Sequence, residues 1–290
     1  MIIAVGGGKG GVGKTFIATN LAYGLSMYRK VLLVDADVDN PSAKVLFKNS
    51  KSIWKRSVAE FRPRINSSRC RLCALCADRC PENALVHIPG KGIVLIETLC
   101  SGCGVCKLVC PNDAIESSES INGWIELLNA RSSLDVIYGE LMCGSRRSNN
   151  LIIETLYEAL RISNRYDYLV VDLPPGTGAG IASVIKRTDV VIIATEPTPL
   201  GLSDTCKFLK LVSKLGAREV IAVINKWGIG GIEDKIVEFF SEKGIRFFKV
   251  PYSYEAIESY MYSKPISEIA PQSNVASSIL EIVKYLVRGT

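Results

Sequence analysis

The sequence predicts an α/β fold, in which a doubly wound, mostly parallel sheet carries a small inserted domain. Short, nearly continuous β-branched and aliphatic runs alternate with helix-like segments, as parallel strands buried on both faces do. A glycine-rich phosphate-binding motif directly follows the first of these runs, which is the place such a motif requires. The alternation stops between about residues 60 and 119, where eight of the ten cysteines lie. These three observations define the fold class.

The expected elements follow from the same runs. We expect strands at Ile2–Val5, Val31–Val34, Leu169–Val171, Val190–Ile193, Val220–Ile224 and Phe247–Val250. We expect helices at Phe16–Met27, Leu151–Ile162, Ser203–Leu215 and Glu233–Lys243. Gly123–Leu141 is interpreted as two short strands around a turn at Arg131–Ser133. The main domain is then residues 1–59 and 120–290, with the inserted domain at residues 60–119.

Composition limits the class of protein. The chain has 290 residues, of which 48% are hydrophobic and 22% charged, which is typical of a globular protein. No apolar run approaches the ~18 residues that cross a bilayer, and the N-terminus does not resemble a signal peptide. We therefore expect a cytoplasmic protein. The single histidine, His87, excludes catalysis built on several histidines.

The net charge of +6 is concentrated in one window, which contains nine basic residues and the single acid Glu60. The basic residues are Lys44, Lys48, Lys51, Lys55, Arg56, Arg62, Arg64, Arg69 and Arg71. Two interpretations stay open here, a solvated linker and a docking patch for an acidic partner. Aromatic residues do not interleave with the charges, so we do not expect a nucleic-acid site.

The phosphate-binding motif is G-x-x-x-x-G-K-T. Its residues are Gly8, Lys9, Gly10, Gly11, Val12, Gly13, Lys14 and Thr15, and Phe16 follows. Glycines allow successive backbone N–H groups to surround phosphate oxygens, and the N-terminus of the next helix adds its positive dipole end. Lys14 is expected to reach the β- and γ-phosphates, and the hydroxyl of Thr15 is expected to bind Mg²⁺. Residues 8 and 10–16 are the predicted nucleotide-binding loop.

The form K-G-G-x-G-K-T, which begins at Lys9, resembles the deviant Walker A motif of the MinD/ParA-type P-loop ATPases. This resemblance covers roughly residues 1–50 and 145–270. It implies the sheet of that family, an ATP-hydrolysing activity, and ATP or ADP with Mg²⁺ as cofactors. It also implies that Lys9 reaches across a dimer interface to the nucleotide of the other subunit, and therefore an ATP-dependent homodimer.

Two aspartates end the second predicted strand, in Val34-Asp35-Ala36-Asp37, and resemble switch I of that family. The resemblance implies that Asp37 orients or deprotonates the attacking water and that Asp35 binds Mg²⁺ through water. An aspartate suits the first role in any case, because the only histidine lies elsewhere. Asp39 is an alternative base.

The segment from Val171 to Gly178 resembles the Walker B strand of the family followed by its switch II. This implies that Asp172 holds Mg²⁺ through water and that Gly176 presents its N–H to the γ-phosphate. Asn225, at the end of the run VIAVIN, matches the asparagine with which the family reads adenine. An ordinary turn at the end of a strand is the alternative explanation for Asn225.

The inserted region contains two cysteine runs with the spacing C-x2-C-x2-C-x3-C-P, and the second repeats the first after thirty residues. Each run is typical of a bacterial ferredoxin, in which three cysteines of a run bind one 4Fe–4S cluster and the fourth binds the other. The expected ligands of cluster one are Cys70, Cys73, Cys76 and Cys110. Those of cluster two are Cys80, Cys100, Cys103 and Cys106. Zinc is the alternative metal, although the repeated spacing is more specific for iron–sulfur clusters.

Two cysteines remain outside these runs, Cys143 and Cys206. Each is expected to be a small buried or half-buried hydrophobic residue. Relatives that bridge a dimer with a cluster normally carry a C-x-x-C motif in the ATPase body, and neither residue belongs to one. We therefore do not predict a bridging cluster.

The function expected from these motifs is an ATPase that couples nucleotide state to electron transfer through two 4Fe–4S clusters, with a redox or iron–sulfur protein as partner. The alternative is an iron–sulfur cluster assembly scaffold or carrier. A third candidate is an ATP-dependent positioning module, which needs a lipid-binding tail or a basic DNA surface. The C-terminal segment Ser278–Arg288 carries only Lys284 and Arg288 as basic residues, so we expect it to pack on the core. No membrane or nucleic-acid partner is predicted.

Overall fold

The structure is a computed structural model that describes residues 1–47, 49–145 and 148–288. Its strands are β1 (Ile2–Gly6), β2 (Val31–Asp35), β3 (Lys51–Ile65), β4 (Leu85–Ile88), β5 (Gly92–Leu95), β6 (Ile115–Arg131), β7 (Leu134–Leu141), β8 (Tyr168–Asp172), β9 (Val190–Thr195), β10 (Glu219–Trp227) and β11 (Arg246–Pro251). Its helices are α1 (Lys14–Ser26), α2 (Ala43–Leu46), α3 (Leu75–Asp78), α4 (Val105–Leu108), α5 (Ser148–Arg161), α6 (Ala179–Ile185), α7 (Pro199–Leu215), α8 (Glu233–Glu242), α9 (Tyr254–Tyr262), α10 (Ile266–Ile269) and α11 (Asn274–Arg288).

Within these described residues, nine strands form one sheet in the order β11-β10-β9-β1-β8-β2-β7-β6-β3. The seven strands from β11 to β7 are parallel, whereas β6 runs antiparallel to both β7 and β3. The predicted α/β fold with a mostly parallel sheet is confirmed. β1 lies between β8 and β9, so the loop that follows it opens at the point where the chain changes direction across the sheet, which is where such folds bind ligands.

The central strands are apolar along most of their length because helices cover both faces of the sheet. On β2, Leu33 packs into the cluster that contains the buried side of α1 and α11. Its neighbours Leu32 and Val34 pack into the cluster that contains α5, α6 and α7. Successive side chains of a strand point to opposite faces, so each face receives apolar residues from every central strand.

All the strands and helices expected from the sequence are present within about one helical turn of their predicted bounds. The hairpin expected at Gly123–Leu141 is also present, but its first strand is long rather than short, since β6 begins at Ile115. The amphipathic segment at the C-terminus packs on the core as expected, because Ile279, Ile282 and Val283 of α11 are buried. In the part of the chain that the structure describes, no helix is long and apolar enough to cross a membrane.

The central part of the basic window forms β3, an element that the sequence did not predict. β3 pairs with β6 from Lys51 opposite Asn129 to Ile65 opposite Ile115, and it is the last strand of the sheet. The linker interpretation is therefore wrong, since a ladder of hydrogen bonds fixes the segment along its length. Charged side chains and a proline on an edge strand disfavour pairing with a second sheet, and β3 contains both.

Many of the basic side chains in this window are already paired within the chain. The pairs are Lys44 with Glu140, Lys55 with Glu126, Arg56 with Glu158, and Arg64 and Arg69 with Glu116. Lys48 lies outside the described residues. These pairs neutralise much of the charge that favoured a docking patch, and an acidic partner stays a prediction.

The two-stranded ladder of β3 and β6 extends beyond the sheet. β7 ends its pairing with β6 at Leu141 opposite Gly123, whereas β3 and β6 continue together to residues 65 and 115. We call residues 59–65 and 115–121, with the segment 66–114 at their tip, the arm. Because β7 is parallel to β2, the arm leaves the sheet at the edge where β2 ends. The assignment of residues 60–119 as a separate domain stays a prediction.

Candidate functional site

The phosphate-binding loop connects β1 to α1 and depends on two glycines. Gly11 and Gly13 have φ angles of 84° and 91°, a left-handed conformation that glycine adopts at little cost. α1 begins at Lys14, directly after this turn, so the first N–H groups of the helix lie at the loop. Gly8 packs closely against Asp204 of α7, and Val12 is buried. These two residues therefore shape the loop rather than line the cavity it opens into.

A cavity of about 500 Å³ lies in front of the loop, a size suited to a nucleotide. On the loop side it is lined by Gly10, Gly11, Gly13, Lys14, Thr15 and Phe16. Its other lining residues include Asn225, Lys226, Pro251, Tyr252, Ser253, Ala256, Ile257 and Tyr260. The second group contains aromatic and apolar side chains that suit a nucleobase, and α9 supplies several that sequence reasoning missed. The run of tyrosines from Tyr252 to Tyr262 was the available signal.

The side chain of Lys14 is 7% exposed. Its Nζ donates a hydrogen bond to the backbone carbonyl of Lys9 at 3.0 Å. Burial lowers the pKa of Lys14 below its ordinary value, although the carboxylates of Asp172 and Asp37 act in the opposite direction. This lysine is therefore held by the loop itself, within the wall of the cavity where a phosphate would bind.

Two buried acids lie side by side at the ends of neighbouring strands, because Asp35 of β2 is opposite Asp172 of β8. The hydroxyl of Thr15 donates to Asp172 Oδ2 at 2.6 Å, and Asp172 Oδ1 is buried without a hydrogen-bond partner among the described residues. The carboxylate of Asp35 accepts hydrogen bonds from the backbone N–H groups of Asp37 and Ala43, at 3.0 and 2.8 Å.

Burial raises the pKa of Asp35 to about 7. Burial also raises the pKa of Asp172 well above its ordinary value, and the nearby charge of Asp35 adds to this effect. Two acids that resist ionisation together, with one oxygen unpartnered, fit a site for a divalent cation, since a cation would supply the missing positive charge. Oxygen ligands of this kind suit Mg²⁺.

The structure separates the two candidates for the catalytic base. Asp37 lines the cavity, and burial raises its pKa although the charge of Lys14 opposes the change. Asp39 is exposed and does not line the cavity. Gly176 follows Asp172 in a left-handed turn with a φ of 101°, next to the lining residue Pro175.

Asn225 lies at the wall of the cavity, but its side chain also contacts the loop. Its Nδ2 donates to the backbone carbonyl of Val12 at 2.8 Å. The next residue, Lys226, donates from Nζ to the carbonyl of Gly11 at 2.8 Å. Sequence reasoning missed Lys226, and its position directly after Asn225 was the only signal.

Lys9, which the resemblance assigns to the partner's nucleotide, is held within its own chain. Its Nζ lies 2.6 Å from Glu196 Oε1, while Glu196 Oε2 lies 3.1 Å from the Nζ of Lys226. The sequence alone could not reveal this contact, because the three residues lie in separate segments of the chain.

The cysteines of the arm lie around two small cavities, in the two crossed sets expected from the spacing. One cavity is lined by Cys70, Cys73, Cys76 and Cys110, and the other by Cys80, Cys100, Cys103 and Cys106. Among the described residues, no group of His, Cys, Asp or Glu is arranged to hold a single metal ion. Each set therefore surrounds a space rather than meeting at one point. The binding of iron at these cysteines stays a prediction.

The backbone around the two cavities repeats with the sequence. Left-handed residues recur thirty positions apart, at Leu72 and Gly102, Ala74 and Gly104, and Asn83 and Asp113. The sulfur of the fourth cysteine of each run accepts a backbone N–H, at 3.2 Å for Cys80 and 3.3 Å for Cys110. Such N–H···S bonds suit thiolates that ligate a metal.

The surroundings of the cysteines are mainly apolar. Cys76 and Cys106 are buried in a small core with Leu85 and Ile115. Burial raises the pKa of Cys106 to about 11 and also raises that of Cys76. His87 lies exposed on β4 and lines neither cavity.

The two cysteines outside the arm differ in exposure. Cys206 is half-buried on α7, as expected, whereas Cys143 is exposed. The expectation of a buried or half-buried Cys143 is wrong because the residue lies in the loop between β7 and α5, where its side chain is exposed.

Comparisons with known proteins agree with this architecture. The family model described as "AAA domain" matches residues 1–224. The MinD cell division ATPase of Pyrococcus furiosus superposes with a TM-score of 0.63 at 16% identity, covering 100% of this chain and 99% of that one. The MinD septum site-determining protein of Pyrococcus horikoshii, solved with Mg-ADP, gives 0.61 at 17% identity, covering 98% and 95%.

Sequence relatives span the whole chain. An uncharacterised protein of Methanocaldococcus jannaschii, MJ0579, is 29% identical over 100% of this chain and 98% of its own. An iron-sulfur cluster carrier protein of Aquifex aeolicus is 27% identical over 98% of this chain and 66% of its own. From the matched family model we conclude that the chain belongs to the AAA-domain family, and its fold is similar to that of the MinD cell division ATPases.

Proposed function

We propose that the chain is an ATP-hydrolysing iron–sulfur protein whose eight clustered cysteines hold two 4Fe–4S clusters. The observation that carries this proposal is the pair of four-cysteine cavities on the arm, which leaves the sheet at the edge that holds the nucleotide cavity. The fold alone accounts for the nucleotide cavity. The cysteines require a second chemistry, and their spacing and crossed arrangement support iron–sulfur clusters over zinc.

The residues at the nucleotide cavity divide into three roles. Thr15, Asp35 and Asp172 would hold Mg²⁺, the last two through water, and this ion would neutralise charge on the β- and γ-phosphates. Lys14 must exchange its bond to the carbonyl of Lys9 for the phosphates. The backbone N–H groups of the loop bind the same oxygens without loss of a charged partner.

Asp37 is the proposed base. It lines the cavity, and its raised pKa makes the carboxylate a better proton acceptor than an exposed aspartate. Its role is to orient the attacking water and accept a proton from it. Gly176 would donate its N–H to the γ-phosphate. Asn225 would contact the adenine of the nucleotide while its side chain holds the phosphate-binding loop.

Lys9 would complete the site of a second subunit in an ATP-dependent homodimer. This assignment comes from the family resemblance. It requires Lys9 to leave the contact with Glu196 that it makes in the single chain.

Two uses of the clusters are considered, and the comparisons favour the carrier. Several relatives that match nearly all of this chain are named iron-sulfur cluster carrier proteins. In that function the cluster is cargo, and ATP would control its release to an acceptor. The electron-transfer function is retained as second candidate, because the burial of Cys76 and Cys106 suits clusters that stay in place.

The test is purification without oxygen, followed by iron and sulfide analysis and transfer from the loaded protein to an apo-ferredoxin. A carrier loses iron to the acceptor faster with ATP, and Lys14→Ala removes this acceleration. Lys214→Ala, which changes an exposed lysine, is the matched control. An electron-transfer protein keeps its iron in this assay. Instead, the rate at which a redox dye oxidises its clusters changes when ATP is added. Colourless protein with zinc at the cysteines would contradict both uses.

A further inference from the structure

Glu196 joins two lysines at the rim of the phosphate-binding loop. It follows β9, and its side chain is 10% exposed. Each carboxylate oxygen has a separate ammonium partner, Lys9 at 2.6 Å and Lys226 at 3.1 Å. Neither lysine is near Glu196 in sequence, so the fold itself brings the three charges together.

Lys226 extends this contact into the loop. It donates to the carbonyl of Gly11, and its backbone adopts a left-handed φ of 56°. A lysine in this conformation costs conformational energy and persists only where its surroundings hold it. Glu196 therefore acts on the loop at two positions, at Lys9 directly and at Gly11 through Lys226.

The carboxylate of Glu196 stays ionised in this setting. Burial alone would raise its pKa, but the hydrogen bonds and charges of Lys9 and Lys226 outweigh burial and hold the pKa below its ordinary value. A partly buried carboxylate with two ammonium partners binds each of them more strongly than it would in water.

The contact competes with the proposed dimer. In the dimer the ammonium of Lys9 binds the nucleotide of the partner subunit, and one ammonium cannot be in both places. Formation of the dimer must therefore break the bond between Lys9 and Glu196, and the free energy lost there is subtracted from the free energy of association.

We propose that Glu196 is a positioning residue that holds Lys9 within its own subunit until a nucleotide-bound partner takes it. This inference rests on the proposed ATP-dependent dimer. Glu196 thereby weakens association and makes it depend on the negative charge of a bound triphosphate. ADP, which carries less negative charge, competes less well with the carboxylate for Lys9.

The test is Glu196→Gln, which keeps the size of the side chain but removes its charge. Sedimentation with a non-hydrolysable ATP analogue measures the dissociation constant of the dimer. We expect this constant to fall about tenfold relative to the wild type. Glu242→Gln, which changes an exposed acid on α8, makes the same change in net charge and is expected to have no effect.

Lys9→Ala provides the second half of the test. In that background Glu196→Gln is expected to leave dimerisation unchanged, because there is no Lys9 to release. An equal effect of Glu196→Gln in both backgrounds would show that the glutamate acts without Lys9, and would overturn the proposal.

A further variant keeps the proposal testable if the first one does not fold. If Glu196→Gln fails to fold, Glu196→Asp keeps the charge but is too short to hold both ammonium groups, and we expect it to strengthen the dimer by a smaller factor. Weaker or unchanged association in a folded variant overturns the proposal while the wild-type dimer stands. If neither the wild type nor the variants dimerise in the presence of the analogue, the ATP-dependent dimer is itself wrong and this proposal fails with it.

Discussion

At the scale of single residues, the acids at the ends of β2 and β8 have a particular physical character. Asp35 is fully buried and Asp172 is 1% exposed, and they are opposite each other on adjacent strands. Their charges are expensive in the absence of a cation, because burial removes water and each acid repels the other. This electrostatic destabilisation lies at the proposed cation site.

The first prediction concerns the pH dependence of stability. Because the pKa of Asp35 is raised to about 7, the folded state keeps a proton that the unfolded state releases above pH ~4. The free energy of unfolding therefore falls as pH rises through this interval and levels off above pH 7. Asp35→Asn mimics the protonated acid and should remove this fall.

Denaturant unfolding without Mg²⁺ or nucleotide, at pH 5 and pH 8, is the measurement. The stability of Asp35→Asn relative to the wild type should rise by roughly 3 kcal/mol between the two values, at about 1.4 kcal/mol per pH unit. A constant difference would show that Asp35 does not carry the pH dependence. Asp39→Asn, at an exposed position, is the control.

The second prediction uses the repeat in the arm. Ala74 and Gly104 occupy equivalent left-handed positions, with φ angles of 60° and 76°. A side chain at Gly104 would meet no other atom within 4 Å, so only backbone strain opposes Gly104→Ala. We expect it to destabilise the loaded protein by about 1 kcal/mol, whereas Ala74→Gly should be neutral or slightly stabilising. The temperature at which each variant loses its cluster absorbance measures both effects. Equal effects of the two substitutions would contradict the assignment of backbone strain to these positions.

At the scale of elements, the sequence predicted the central strands and the helices because their apolar pattern is local. It did not predict β3, whose side chains are mostly exposed, because its structure depends on pairing with β6, some sixty residues later in the chain. The phosphate loop was predicted for the same local reason as the central strands. The contact of Glu196 with Lys9 and Lys226 was missed because it joins three distant segments.

The junction between the arm and the sheet is a polar contact centred on Asn122. This residue is the extra residue of a bulge, since Val58 pairs with Gly123 and Ala59 with Ile121. Its side chain donates to Glu60 Oε1 at 2.8 Å and accepts from the hydroxyl of Ser145. It is 1% exposed, so these bonds fix the direction in which the arm leaves the sheet.

The junction also contacts the segment that follows β2. The backbone carbonyl of Asn122 accepts from the N–H of Met142, and the preceding N–H, of Leu141, donates to the carbonyl of Val38, both at 2.8 Å. Val38 follows the proposed base Asp37. Two backbone hydrogen bonds therefore connect the segment after β2 to the root of the arm.

The third prediction tests this junction. Asn122→Ala removes buried hydrogen bonds and should destabilise the protein by about 2 kcal/mol. It should also speed proteolytic cleavage of the arm, because its root is no longer fixed. Asn129→Ala, at an exposed position on the same strand, is the matched control. Equal cleavage rates in the two variants would show that Asn122 does not secure the arm.

At the scale of the whole molecule, the crossed cysteine sets make the tip of the arm one unit. Cys110, from the second run, lies with the first three cysteines of the first run, and Cys80 lies with those of the second. Neither run alone can therefore complete a four-ligand site.

The fourth prediction distinguishes crossed from sequential binding by iron and sulfide content. Cys110→Ser should lose about half of the iron. Adding Cys73→Ser, at the same cavity, should remove no more, whereas adding Cys103→Ser should remove the remainder, because four thiolates hold each cluster. The reverse result would establish sequential binding. Cys206→Ser on α7 should keep all of the iron.

The arm also bears on how a newly made chain matures. β6 joins β7 through a tight turn, whereas the pairing of β3 with β6 closes a loop that contains the whole cysteine segment, and the entropic cost of closing a loop rises with its length. If the proposed clusters fasten that segment, a chain made without iron would leave β6 as an unpaired edge strand, open to pairing with other chains. On the proposed function, iron supply would then decide whether new chains fold or aggregate, and aggregates should accumulate in iron-starved cells.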